Sequence, residues 1–118
     1  MGRQSTINVN LSIQQMKVGN IFSNIPEILG QEVYDRLAAS ETVVIERIVS
    51  KGQETAWLDQ DKHEWVMVLK GNATLMFADH STVQVAAGDY IHIPAHTKHK
   101  VTWTNPDTET VWLAVHYL

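Results

Sequence analysis

The chain of 118 residues contains no cysteine, which excludes disulfide bonds and thiolate metal ligands. Any bound metal would need ligands from His, Asp, Glu, Gln, the backbone or water. No stretch approaches the roughly 18 consecutive apolar residues of a membrane span. Residues 1–15 lack the basic and apolar regions of a signal peptide. These absences predict a cytoplasmic protein that has no membrane partner.

Basic residues are also scarce: nine Lys and Arg face thirteen Asp and Glu, for a formal net charge of −4. The nine are scattered along the chain rather than clustered into a stripe. We therefore expect no nucleic-acid partner, because such a partner requires a basic surface. The length fits one domain with a core of its own.

From about residue 42 onward, short runs of β-branched and aromatic residues alternate with turn residues. They predict strands at 42–49, 53–58, 64–70, 73–78, 83–86, 90–93, 99–104 and 110–116. Strands spaced by roughly 8–12 residues are typical of an antiparallel sandwich or barrel. We therefore predict an all-β fold.

The first 41 residues have a different composition, and we expect residues 1–41 to form an N-terminal extension packed on a barrel of residues 42–118, within one domain. Within residues 1–20, alternating apolar and polar residues favour at most one edge strand, carried by Ile7, Val9 and Leu11.

Residues 26–39 are predicted to form a short helix. Asn24 could cap it and Pro26 suits a first turn. Leu29, Val33 and Leu37 recur every four residues and would form its buried stripe.

Both faces of the predicted strand 64–70 are apolar. One face carries Glu64, Val66 and Val68, and the other carries Trp65, Met67 and Leu69. Both faces must be covered, one by the barrel interior and the other by a second sheet, the N-terminal segment or a partner subunit. The apolar outer face therefore predicts a homodimer.

In the predicted strand 99–104, the period of two places His99, Val101 and Trp103 on one face. Lys100, Thr102 and Thr104 lie on the other face. The polar set is expected outside, so His99 should point into the barrel between large apolar residues.

Two stretches of this chain resemble the two sequence motifs of the cupin superfamily. In the first, five residues separate Gly52 from Leu58, and Gln60, Glu64 and Gly71 follow at the family's spacing. In the second, Gly88, Pro94 and His99 keep the spacing, while Trp103 stands where the family has Asn. The resemblance covers residues 52–105 and implies a cupin-type antiparallel barrel or jelly-roll sandwich, here with the short N-terminal helix.

The resemblance also implies a site inside the barrel, where metal-binding cupins use two His and one Glu from the first motif and one His from the second. Carried over residue by residue, Glu64 and His99 are retained, whereas Leu58 and Gln60 replace the two histidines. The candidate ligands of a divalent metal (iron, manganese, zinc or nickel) are Glu64, His99, Gln60, Asp59 and His96.

Three functional hypotheses follow from this set. The first is metal-assisted chemistry on a small metabolite, with Glu64 and His99 as catalytic residues. The second is a metal-free module that binds or senses a small ligand. The third is a metal-free, isomerase-like enzyme in which His99 is the base and Glu64 or Tyr90 the acid. The candidate pocket residues are Trp103, Val66, Val68, Tyr90 and His92.

Overall fold

The computed structural model describes residues 16–27 and 29–118. Eight strands lie in this part of the chain: β1 (Val33–Ala39), β2 (Val43–Ser50), β3 (His63–Lys70), β4 (Asn72–Phe77), β5 (Thr82–Ala86), β6 (Tyr90–Ile93), β7 (His99–Thr104) and β8 (Thr110–Tyr117). They form a five-stranded sheet in the order β1-β2-β8-β3-β6 and a three-stranded sheet in the order β5-β4-β7. All the pairings are antiparallel, as predicted. The described residues contain no helix that could cross a membrane.

The predicted helix over residues 26–39 is wrong where the structure describes its second half. Residues 33–39 form β1, which pairs with β2 through Val33↔Val49 and the following residues. A spacing of four is a multiple of two, so Val33 and Leu37 also suit a strand, and long-range pairing decides between the two structures. Asn24, the proposed cap, instead adopts a positive φ of 58°. The edge strand proposed within residues 1–20 falls largely outside the described residues.

Seven of the predicted strands are confirmed with small shifts at their ends, but residues 53–58 do not form a strand. The segment runs beside β7, and Thr55 is bonded to Val101 through its backbone N–H and its hydroxyl oxygen. Because the Thr55 hydroxyl replaces a backbone carbonyl, a regular ladder does not form. A single bridge joins Leu58 to His99, and it places both residues at the same point of the barrel wall.

The core fills the space between the two sheets. Its buried side chains are Val66, Val68, Ala73, Leu75, Val85, Ile93, Val101, Trp112 and Ala114. The alternation along β3 is the predicted one, since Glu64, Val66 and Val68 are buried and Trp65, Met67 and Leu69 are half-buried on the outer face. Antiparallel packing of alternating strands therefore creates an interior that can hold a site.

Arg47 ties the segment before β1 to the outer face of the larger sheet. Its side chain is buried, and its Nη1 donates hydrogen bonds to the carbonyls of Ile21 (3.0 Å) and Ser23 (2.6 Å). Its Nε and Nη2 both donate to Asp35 on β1. One guanidinium thus satisfies four contacts in its fixed fork geometry.

Candidate functional site

His99 lies at the start of β7 with its imidazole inside the barrel, 3% exposed. Its backbone forms both hydrogen bonds of the bridge to Leu58. Its Nδ1 lies 2.7 Å from the carbonyl oxygen of Thr97, which can only accept, so Nδ1 carries a proton. The second ring nitrogen, Nε2, is therefore the one that is available for chemistry.

Glu64 on β3 faces His99 across the interior. It is 7% exposed, and its Oε1 lies 3.6 Å from His99 Nε2, which is a close charge contact rather than a well-formed hydrogen bond. Burial by itself lowers the pKa of His99, but the Glu64 carboxylate and the Thr97 carbonyl outweigh it, so the pKa is raised above its usual value. The pair is thus disposed to hold a proton on Nε2 beside a carboxylate.

His99 and Glu64 line a cavity of about 50 Å³ between the two sheets. That volume is room for a few water-sized groups. Most of its wall is apolar, and the lining residues are Glu32, Tyr34, Ile48, Thr55, Leu58, Glu64, Val66, Leu75, Ile93, His99, Val101 and Trp112. Tyr34 is 56% exposed whereas His99 and Glu64 are buried, so Tyr34 lies at the mouth and the charged pair lies deep inside.

Two polar residues of this cavity, Glu32 and Tyr34, are missed by the sequence analysis. The Tyr34 hydroxyl donates to Glu32 Oε1 at 2.5 Å, and the Ser50 hydroxyl donates to Glu32 Oε2 at 2.9 Å. Partial burial of the phenol, its bond to Glu32 and the nearby carboxylates raise the pKa of Tyr34 well above its usual range. Predicting a strand instead of a helix over residues 33–39 would have placed Tyr34 on a face of the sheet and drawn attention to it and to Glu32.

A second histidine–carboxylate pair lies next to the first. His116 on β8 is the cross-strand neighbour of Glu64, and its Nε2 lies 2.9 Å from Glu46 Oε1 on β2. Both side chains are mostly buried, at 14% and 19% exposure. Neighbouring strands of the larger sheet therefore bring Glu46, His116 and Glu64 onto one inner face, although β2 and β8 are far apart in sequence, and His99 faces them from the smaller sheet.

The other three candidate ligands do not reach the cavity. Asp59 and His96 pair with each other at 2.9 Å, and both side chains are exposed. The backbone carbonyl of Gln60 accepts the N–H of His96, but Gln60 is not among the cavity residues. These contacts fasten the loop before β7 to the segment before β3. They position Thr97, and through it His99.

Of the five pocket residues expected from sequence, Val66 lines the cavity and the other four do not. Val68 is buried in the core below it. Tyr90 and His92 lie on the outer face of the larger sheet, where Tyr90 packs on Trp65 and His92 Nε2 lies 2.6 Å from the Tyr117 hydroxyl.

Trp103 does not share the face of His99. A β-bulge separates the pairs Thr74↔Trp103 and Leu75↔Val101, so one residue of β7 has no partner. Trp103 consequently points outward, 42% exposed, while Thr104 turns inward and is buried. It lines a separate open groove together with Thr74 and Gln84.

The donor set of the cavity does not fit a resident divalent metal. His99 Nε2 and Glu64 Oε1 approach each other there, and Leu58 stands where the cupin motif has another ligand. No group of three or more His, Cys, Asp or Glu able to hold an ion occurs among residues 16–27 and 29–118. Catalytic and structural metal sites use at least three protein ligands as a rule. The expected ligand set of five residues is therefore not brought together.

Comparison with known proteins gives one family and many related structures. The sequence model of the Cupin domain matches residues 45–116. A protein from Ralstonia eutropha JMP134 named a "putative mannose-6-phosphate isomerase" is 39% identical; the match covers 86% of this chain and 98% of that one, with a TM-score of 0.82. No curated protein matches the chain.

Two more distant structures share the fold. A cupin superfamily protein from Desulfitobacterium hafniense DCB-2 is 20% identical with a TM-score of 0.69, and the match covers 80% of this chain and 84% of that one. The polyketide cyclase RemF from Streptomyces resistomycificus is 21% identical with a TM-score of 0.70, covering 86% and 79%.

Proposed function

Because this chain belongs to the cupin family, we propose that it acts on a small molecule in its barrel cavity, where the His99–Glu64 pair transfers protons without a metal. The observation that carries the proposal is the buried pair itself, with Nε2 and Oε1 3.6 Å apart at the bottom of a cavity that opens beside Tyr34. A buried pair of titratable groups with a raised histidine pKa is typical of an acid–base site.

The roles are the reverse of those expected from sequence. We assign Glu64 Oε1 as the base and His99 Nε2–H as the acid, because the raised pKa of His99 favours a proton on Nε2 beside Glu64. On an α-hydroxy carbonyl compound, Glu64 takes the hydrogen from the α-carbon, the C–H electron pair forms the C=C bond of an enediol, and Nε2 protonates the carbonyl oxygen. The α-hydroxyl then returns a proton to Nε2, and Glu64 delivers its proton to the former carbonyl carbon. No net proton is gained or lost, and both groups return to their starting states.

The similarity to the Ralstonia protein supports this reaction class, because its name assigns it to the isomerases and it is 39% identical over most of both chains. The metal-assisted hypothesis is disfavoured by the donor set of the cavity. A pure binding module would share the cavity and the charged pair, and catalysed hydrogen exchange distinguishes the two hypotheses.

The test is hydrogen exchange at the α-carbon. The small α-hydroxy carbonyl compounds glycolaldehyde and hydroxyacetone are incubated in D₂O with the purified protein and a chelator, and loss of the α-proton signal is followed by NMR. We expect exchange by the wild type and none by His99→Gln or Glu64→Gln. The matched control His80→Asn, which alters an exposed histidine in the turn between β4 and β5, should keep the wild-type rate.

Three results would contradict the proposal. They are absence of exchange with the wild type, equal exchange by the His99→Gln variant, and exchange that the chelator abolishes and a divalent ion restores. Elemental analysis of wild type beside His99→Ala provides an independent check. Stoichiometric metal that is lost in the variant would mean a metal-dependent site.

We also propose that two copies associate through the outer face of the larger sheet. Trp65 and Met67 are half-buried there, and Tyr90 is 66% exposed and packed on Trp65. Light scattering should give a dimer for the wild type and a monomer for Tyr90→Glu. A wild-type monomer across the micromolar range would refute the association.

A further inference from the structure

The charged groups that line the barrel cavity are mainly acidic. Glu32 and Glu64 line it, and among the described residues no Lys or Arg does. His99 can carry a positive charge, but Glu64 lies 3.6 Å away and balances it. A negatively charged ligand would therefore meet Glu32 without a compensating cation.

Glu32 is held in place at the mouth of the cavity. The hydroxyl groups of Tyr34 and Ser50 each donate to one of its two carboxylate oxygens. Both donors lie on strands of the same sheet, so the carboxylate cannot swing away without losing two hydrogen bonds. Any molecule that enters past Tyr34 passes this carboxylate.

The neighbouring groups on the inner face do not reverse this potential. Glu46 adds one carboxylate, and His116, bonded to it at 2.9 Å, at most neutralises that charge. Arg36 stands opposite Glu46 in the β1–β2 register, but it is exposed and does not line the cavity.

Trp112 supplies an independent observation. It is 4% exposed and lines the cavity, and its Nε1–H has no acceptor among the described residues. A buried donor without a partner is rare and costs free energy, so an acceptor from outside the described residues, such as a water or a bound molecule, would stabilise it. The cavity thus presents the indole N–H of Trp112 beside the carboxylates of Glu32 and Glu64.

We infer that the cavity takes a small molecule without negative charge, one oxygen of which accepts from Trp112 Nε1–H, and that it discriminates against phosphorylated and carboxylated molecules. This rests on the proposed function in placing the ligand at the His99–Glu64 pair. The inferred selectivity would exclude the substrate in the name of the Ralstonia protein, which is a phosphorylated sugar. Glu32 is the residue that sets the selectivity, through its charge at the mouth.

Acetamide and acetate test the inference, because they have nearly the same shape and differ in charge. The ¹⁵N-labelled wild-type protein is titrated with each, and the Trp112 indole signal, assigned with Trp112→Phe, reports binding. We expect acetamide to shift this signal and to bind about tenfold more tightly than acetate. Glu32→Gln should narrow that ratio to a few-fold, and Glu41→Gln, at an exposed position, should leave it unchanged.

Acetate binding as tightly as acetamide, an unchanged ratio in Glu32→Gln, or no response of the Trp112 signal to acetamide would each overturn the inference. The outcome is distinguishable from that of the proposed function. If the wild type catalyses no α-hydrogen exchange, the proposed function fails, but the preference for acetamide over acetate can still be observed. If the wild type catalyses exchange but binds acetamide and acetate equally, the inferred selectivity fails and the proposed function stands.

Discussion

Gly71, the last residue of the first motif, is expected to tolerate no side chain. It follows β3 with φ of +85°, a conformation that costs an L-residue about 1–2 kcal/mol. A Cβ there would lie 2.5 Å from Thr110 Oγ1, 2.6 Å from the Glu109 carbonyl oxygen and 2.7 Å from Thr110 Cα. Two of these atoms belong to the backbone at the start of β8, so relief requires moving a central strand, at a further cost of about 1–3 kcal/mol.

We therefore expect Gly71→Ala to lower the free energy of unfolding by about 3 kcal/mol, and the melting temperature by roughly 12 °C. Gly88→Ala is the matched control, because Gly88 has a similar φ of +94° but no atom within 4 Å of its added Cβ. It should cost about 1 kcal/mol, and the unfolded-state entropy change is common to both variants. Urea and thermal unfolding followed by circular dichroism measure the difference. Equal losses in the two variants would refute the steric argument.

Three further predictions concern the site and its supports. Glu64→Gln should lower the pKa of His99, because the effect of burial then prevails. In the wild type, the raised pKa of His99 stabilises the folded state fully below about pH 6.5, and this contribution is lost as the pH rises through the folded-state pKa. The variant should therefore be less stable than the wild type at low pH, and the difference in unfolding free energy should shrink as the pH rises. Imidazole NMR and urea melts at several pH values measure it, and an unmoved His99 pKa would contradict it. Leu58→His should add a third donor beside His99 and Glu64 and produce uptake of Zn²⁺ or Co²⁺ by calorimetry, whereas Gln60→His should not; equal uptake by the two would argue against the placement of Leu58. Arg47→Met should lower stability by about 2 kcal/mol and speed amide exchange in residues 16–24, and unchanged exchange there would show that Arg47 does not hold this segment.

Much of the fold follows from local patterns in the sequence. Alternation with a period of two, together with turn residues, predicts seven of the eight strands, and motif spacing identifies Glu64 and His99 as the pair inside the barrel. These features depend on neighbouring residues or on fixed intervals, which a single sequence displays.

The errors have non-local causes. Val33 and Leu37 fit a helix and a strand equally well, and only pairing with β2 separates the two. Trp103 is misplaced by a bulge whose partner residues lie on β4, some thirty residues away. Glu32, Tyr34 and the Glu46–His116 pair are missed because the strands that bring them together are distant in the chain.

The bulge in β7 also bears on how this protein can change over generations. Because it reverses the alternation between Val101 and Trp103, a single strand contributes His99 to the interior and Trp103 to the groove on the opposite side. Substitutions that change the shape of the outer groove at Trp103 therefore leave the His99–Glu64 pair in place. Substitutions that change the shape of the cavity likewise leave the groove in place. Two surfaces of one strand can thus be selected independently, and deletion of Thr102, the residue without a partner on β4, would leave Trp103 outside, because Val101 and Trp103 would then be adjacent on a regular strand.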